Sequence, residues 1–506
     1  MATTRKLSFL LALTACAAVF APASPAVAER PLELGVTGYT DDLFSDPATQ
    51  DQWLGRTVDA GAGMVVLGAF WDQIASSDPP ANPANPADPS YSWGSLDASV
   101  RNATAHGLDV MIVVTGTPAW AEGPNRPAVD PDKYPRGTWK PDPEKFSSFA
   151  KAVTTRYAGN FIDPANVLAG TLPSVHLWEV WAEPNLWVNL TPQYEHGKEF
   201  AADHYRKLLN AFYDAAKGVS PNNTIVNGGL APYGDPPGDR RTRPLAFYRD
   251  LLCLHGRKAL KPTKCSQKPK LDVLADNPIN LSGGPRQSAI NPDDASSADL
   301  GNVAKVLRAA ERHNTITPGG KHPLWATEFW WNSDPPHNGA IPLQQHARWI
   351  EEALYLYWKA GASVAINLRI RDTHDQAGVD GTGLYFVDGD PKPALTAFRF
   401  PFVTERRSGS KVRAWGRAPV AGKLVIERKT GKGWRKVDKE NVGAQDVFTA
   451  NLSFRGKAKL RARVGGESSL AWTQGHKIDT IEEVSSKAGA PADAARPLRE
   501  SVPATP

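Results

Sequence analysis

The chain predicts an α/β fold, a (β/α)8 TIM barrel followed by a small all-β, sandwich-like domain, and three observations carry that expectation. Before Phe400, short apolar runs alternate with stretches in which apolar residues recur at helical spacing. After Phe400 the period changes to two, with glycines between the runs. The fourth and seventh apolar runs lead into glutamates set among tryptophans.

Eight candidate strands cover residues 32–36, 64–67, 109–114, 174–180, 224–227, 271–274, 323–326 and 363–368. Between them Phe146, Phe149, Val153 and Tyr157 form one helical stripe, and Tyr205, Leu208, Leu209 and Phe212 another. A third comprises Ile350, Ala353, Leu354 and Tyr357, and all three read as core. Beyond Phe400, the runs Lys411 to Gly416, Lys423 to Arg428 and Lys459 to Val464 alternate as strands with one wet face do. From His476 the chain turns to Ala, Pro, Glu and Ser, too apolar-poor to offset ordering. The expected organisation is therefore a leader at 1–28, a barrel at 29–400, a β-domain at 401–475 and a disordered tail at 476–506. A chain of 506 residues, 41% hydrophobic, has material for a large core and a smaller one.

The leader expectation rests on Arg5 and Lys6 ahead of an apolar run from Leu7 to Phe20, with Ala26-Val27-Ala28 as a small-residue cleavage site before Glu29. That pattern predicts secretion and excludes a membrane span. Leu13-Thr14-Ala15-Cys16 offers the alternative of a lipid-anchored cysteine. Of the 3 cysteines, Cys253 and Cys265 remain after the leader. A pair closing a small loop in an exported chain predicts a disulfide, and neither Cys-x-x-Cys nor His-x-x-x-His spacing accompanies it to suggest a metal. No metal and no cofactor are expected.

Charge is unevenly spread. Residues 401–475 hold 17 lysines and arginines against 6 acids, while the whole chain is only +5. A basic module on an acidic barrel suits docking on an anionic polymer such as cell wall, or is simply a solvated surface. Nucleic acid is not expected as a partner, since no recognised binding motif accompanies the charge.

The chemistry sits in Trp181-Ala182-Glu183-Pro184-Asn185 and Thr327-Glu328-Phe329-Trp330-Trp331. Two carboxyls at the C-terminal ends of different barrel strands can face each other across a sugar, as an acid/base and a nucleophile must. Glu179, four residues earlier, should lie about 13 Å deeper along an extended strand, at the far end or in the barrel interior, as a satisfied structural carboxylate. Trp71, Trp120, Trp181, Trp187, Trp330 and Trp331 supply the aromatic faces on which pyranose C–H bonds stack.

These motifs resemble the Trp-Asn-Glu-Pro-Asn acid/base and Thr-Glu-Phe-Gly-Trp nucleophile elements of the clan A retaining glycoside hydrolases, particularly families 39 and 5. Tyr91 to Asp97, Gly107 to Val110, Thr117 to Ala121 and Asp388 to Ala394 resemble other segments of such enzymes, so the likeness spans nearly all of 29–400. The resemblance implies a (β/α)8 barrel that cleaves O-glycosidic bonds in a carbohydrate substrate by double displacement, with Glu183 as acid/base and Glu328 as nucleophile. Three departures accompany it. Ala182 stands where those enzymes place an asparagine that bonds the sugar 2-hydroxyl, Val66 where an arginine neighbours the nucleophile, and Asn277-Pro278-Ile279 where His-Pro-Tyr is usual.

Asn227, Asn277 and Asn367 are candidates to replace the missing contact, or are structural amides. Arg369 could clamp a carboxylate on an acidic glycan, or pair with Asp372 or Asp41. Two rival functions remain open at this point: a catalytically weak barrel that binds polysaccharide, and a cell-surface transglycosidase.

Overall fold

The computed structural model describes residues 29–37, 47–75, 78–128, 132–374 and 378–482. The expected leader with Cys16, Asp41, and everything beyond 482 lie outside the described residues.

The barrel strands are β1 (Glu33–Thr37), β2 (Met64–Phe70), β3 (Asp109–Thr115), β4 (Leu177–Val180), β5 (Thr224–Asn227), β6 (Leu274–Asp276), β7 (Leu324–Phe329) and β8 (Ala362–Asn367). Helices follow each in turn: α1 (Pro47–Asp59), α2 (Gly94–Ala105), α3 (Pro143–Arg156), α4 (Ala201–Val219), α5 (Pro244–Leu251), α6 (Leu300–Arg312), α7 (Leu343–Ala360) and α8 (Pro393–Arg399). The strands form one parallel 8-stranded sheet in the order β6-β7-β8-β1-β2-β3-β4-β5. A parallel bridge between Val226 and Val273 closes it. Asn227 completes the closure from its side chain, accepting from Ala275 N at 2.8 Å and donating to Ala275 O at 3.2 Å.

Local chemistry explains the helix ends. Asp142 caps α3 by accepting from Glu144 N and Lys145 N, and Pro143 follows in the first turn, where a missing N–H costs nothing. Gly361, with φ 111°, ends α7 in the left-handed conformation that leads directly into β8.

Strand pleating divides the apolar residues between two cores. Val66, Met111, Val113, Leu177, Val226 and Ile366 are among those that fill the barrel interior. The residues of opposite parity, such as Val65, Ile112, Trp178 and Val180, pack outward against the helices. All three helical stripes read from the sequence are buried there.

β7 runs further than expected, to Phe329, because it shifts register after Ala326 and regains pairing with β8 at Phe329 opposite Asn367. Glu328 therefore stands within a hydrogen-bonded strand.

The C-terminal domain is all antiparallel. One sheet orders β9 (Phe402–Arg406), β10 (Lys411–Arg417) and β13 (Val447–Ser453). The other orders β12 (Gly433–Val442), β11 (Gly422–Thr430), β14 (Ala458–Val464) and β15 (Glu467–Ser468), with β16 (Trp472–Gln474) also on β14. It is fastened to the barrel. Tyr355 of α7 donates to Glu405 at 2.8 Å, Tyr355 and Trp358 pack on Trp415, and Arg417 Nε donates to Leu32 O at 3.0 Å.

Residues 476–482, expected within the tail, are described and make defined contacts. Asp479 accepts from Arg406 N at 2.6 Å, and Glu482 N donates to Arg286 O at 2.8 Å, so these polar residues are ordered by the backbone groups they satisfy.

Candidate active site

Glu183 follows β4 on a sharply turned backbone, with φ of 71° at Trp181 and 40° at Glu183. Left-handed φ at non-glycine residues costs on the order of 1–3 kcal/mol each and survives where the surroundings over-determine it. Here they do. Trp181 N donates to Val114 O at 2.8 Å, Glu183 N to Gly229 O at 3.2 Å, and Trp181 Nε1 to Asn189 O at 2.9 Å.

Glu179 lies in the barrel interior, one of the two expected placements, but the turn corrects the depth. It does not sit a strand's length beneath the site, because the chain beyond β4 folds back instead of running on extended. Glu179, Ala182, Asn277, Thr327 and Glu328 line one small cavity with Val66 and Val113. Gly229 N donates to Glu179 Oε1 at 2.9 Å. Gly229 must be glycine, since a Cβ there would lie 2.1 Å from Asn277 Oδ1 and 2.5 Å from Thr327 Oγ1.

Asn277, at the end of β6, joins the two halves of the site. Its Nδ2 donates to Glu183 Oε1 at 3.2 Å, and its Oδ1 accepts from Thr327 Oγ1 at 2.9 Å. Glu328 Oε1 accepts from Trp330 Nε1 at 3.1 Å.

The electrostatics follow from burial. Glu328 is pushed up to about 8, chiefly by burial and then by repulsion from Glu183 and Glu179, with the Trp330 bond and the Arg369 charge acting the other way. Burial lifts Glu183 to about 7, and the Asn277 bond holds it down. Glu179 rises to about 8, first through burial and then through Glu183, with the Gly229 bond opposing. Asp276 behind them also rises to about 8 by burial, while accepting from Tyr248 Oη at 2.9 Å. Glu183 is half-buried as a whole, whereas Glu328 is 2% exposed.

The expected aromatic set divides. Trp71 and Trp181 are not at the surface: both are 0% exposed in the core between strands and helices, Trp71 stacked on Phe149 and Trp181 edge-on to Phe146. Trp331, 4% exposed, packs against Trp349 and donates to Gly283 O. Trp330 touches Glu328 itself, and Trp120 and Trp187 are half-buried.

Arg369 is also not open at the surface. It is 1% exposed, in a short strand (Arg369–Arg371) after β8, and its charge acts on Glu328. Asp372, one expected partner, is bound instead by Lys392 at 2.6 Å, and Asp41 lies outside the described residues. Asn227 and Asn367 are structural amides, the latter donating to Arg369 O at 2.8 Å. Val66 lies in the cavity wall, so the second strand supplies an apolar surface there.

Cys253 and Cys265 form a disulfide, S–S 2.19 Å, in the loop after α5. Among the described residues no cluster of three or more His, Cys, Asp or Glu is arranged to hold a metal ion, and no helix is long and apolar enough to cross a membrane.

Sequence reasoning missed Gly229 and Asp276, and met Thr327 only as part of the Glu328 motif. Asp276 was signalled by its place before Asn277 at a strand end, but Gly229 acts through its backbone and left no signal of its own.

No family model and no curated protein matches the sequence. Solved structures do match. A family 39 glycoside hydrolase from Bacteroides cellulosilyticus aligns over 84% of this chain and 81% of its own, with TM-score 0.51 and 16% identity. A glucosidase from Croceicoccus marinus aligns over 85% and 95%, with TM-score 0.46 and 14% identity. An endo-β-1,4-mannanase from Thermotoga petrophila aligns over 91% and 99%, with TM-score 0.41 and 11% identity. The fold is the (β/α)8 barrel with a C-terminal β-domain, and the family 39 structure shares the fold over the aligned part.

Proposed function

We propose that this protein is a secreted retaining glycoside hydrolase that cleaves O-glycosidic bonds in a poly- or oligosaccharide. The observation that carries the reading is the pair Glu183 and Glu328 beyond β4 and on β7, whose charges repel each other and which Asn277 links by its bonds to Glu183 and to Thr327, beside a small buried cavity lined by Asn277 and Glu328. In the first step Glu328 attacks the anomeric carbon as the glycosidic C–O bond breaks and Glu183 gives its proton to the departing oxygen. In the second, water attacks that carbon, Glu183 takes a proton from it, and Glu328 is released. The carboxyls should stand about 5–5.5 Å apart for this chemistry.

Trp330 and Trp120 are the proposed sugar-stacking rings. Arg369 and Trp330 favour the ionised form of Glu328, a role for which Val66 leaves no candidate on β2. The Cys253–Cys265 disulfide suits an oxidising, extracellular compartment. The apolar wall of Val66 and Ala182 favours a second reading, a barrel that binds polysaccharide with little turnover. We further propose that the basic C-terminal domain holds the enzyme near anionic cell-wall polymer. The deciding experiment screens mature protein on neutral and acidic polysaccharides with products resolved by mass; reducing ends released by wild type and not by Glu328→Gln support hydrolysis, and retention without release supports binding alone.

A further inference from the structure

The second sheet of the C-terminal domain sorts its charge by strand parity. On β11, Leu424 and Ile426 are buried, and the residues of β12 facing them are Glu440 and Asp438. The opposite face carries Lys436 and Lys439 of β12, paired with Glu427 and Val425, and Lys423 and Lys429 of β11. On β14, Leu460, Ala462 and Val464 point in, and Lys459, Arg461 and Arg463 point out. Among the outward positions of these three strands the only acid is Glu427, which holds Arg461 at 2.8 Å and lies 4.0 Å from Arg463. Half-buried Trp434 lies on the same face, its ring 4.2 Å from the Arg461 guanidinium and 5.5 Å from Lys429.

Like charges on neighbouring strands repel, and a sheet gathers them on one face at a cost in stability. The sheet is held against the barrel from its other face, through Arg399 of α8 to Glu467 at 2.7 Å and Arg348 of α7 over Trp472 at 3.7 Å, which leaves the outward face clear of these contacts. We propose that this outward face is a docking surface for a carboxylate-bearing polysaccharide, a polyuronate. Two features choose carboxylate and sugar. Glu427 already seats a carboxylate between Arg461 and Arg463, which shows the geometry the face accepts. On β14 cations recur every second residue, about 7 Å apart, and Lys436 and Lys439 stand across β11 from Arg461 and Arg463, about 10 Å away, spacings that meet a repeating anion on an extended chain. The choice of a glycan over other polyanions rests on the glycosidase reading of the barrel.

The test uses the full mature chain and immobilised polygalacturonate, with neutral xylan and single-stranded DNA as parallel supports. Retention on polygalacturonate should weaken steeply with salt. Reversing three charges in K436E/K439E/R463E should weaken it about 100-fold, at about tenfold or less per cation, while the neutral K436Q/K439Q/R463Q set gives an intermediate loss and an unchanged melting curve. Turnover of a soluble aryl glycoside should survive the triple change, and Glu328→Gln should lose turnover while keeping retention, so docking and catalysis fail separately. Equal retention on DNA or xylan, or retention indifferent to the triple reversal, overturns the proposal.

Discussion

Asn277 Nδ2 donates to Glu183 Oε1 at 3.2 Å while its Oδ1 accepts from Thr327, the neighbour of Glu328, so one amide on β6 sets the spacing between the two carboxyls. A donor to Glu183 favours its ionised form, and removing it raises the pKa of the residue that must be protonated to act as acid. Asn277→Ala should therefore move the alkaline limb of kcat/KM to higher pH. It should also lower kcat by about 10–100-fold through lost positioning. A pH–rate profile that keeps its alkaline limb in place contradicts the bridge.

The pair should titrate as a unit, with both limbs of the wild-type bell displaced above the ordinary carboxylate range, since Glu183 and Glu328 are lifted to about 7 and about 8. Repulsion from Glu183 is part of what lifts Glu328. Glu183→Gln should thus lower the acidic limb, measured on an aryl glycoside whose leaving group needs no protonation. The same variant should lose about 10²–10⁴-fold on poor leaving groups and recover with azide, which needs no base. Uniform loss on every substrate, with no azide response, contradicts the assignment of roles.

The sequence exposed the barrel and the two glutamates because apolar periodicity and strand-end position are local signals. It did not expose the depth of Glu179, because that depends on the left-handed turn at Trp181 and Glu183, which bonds to Val114 O, Gly229 O and Asn189 O maintain. Nor could it separate Trp330 from Trp71 and Trp181. All three flank strand ends, and burial in the helix-side core is decided by packing partners such as Phe146 and Phe149, distant in sequence.

Ala182 and Arg369 make a paired prediction about substrate. Restoring asparagine with Ala182→Asn should raise turnover of ordinary glycosides, by up to several kcal/mol in transition-state terms if the 2-hydroxyl contact is limiting. Arg369→Met should shift the acidic limb to higher pH, because the cation that holds Glu328 down is gone. A raised Michaelis constant confined to acidic glycans would instead give Arg369 a direct role with substrate. No change from either variant contradicts both parts.

Lys392 and Asp372, both 0% exposed in their side chains, form a buried pair that Ser333 Oγ and Gly381 O complete. Lys392→Met leaves a buried carboxylate uncompensated and should destabilise the barrel by about 3–5 kcal/mol, read by denaturant unfolding. The disulfide, with a sequence separation of 12, should contribute about 3 kcal/mol. Free thiols titrated in unreduced exported protein would contradict it.

The central claim is the covalent role of Glu328, and trapping tests it most directly. The enzyme is incubated with activated 2-deoxy-2-fluoro glycosides matching whichever aryl glycosides it turns over, then digested and mapped by mass. The account predicts one sugar per chain, bound to Glu328 in the peptide containing Thr327-Glu328-Phe329. A label on Glu183 or Glu179, or full turnover of the parent glycoside with Glu328 unmodified, would contradict it.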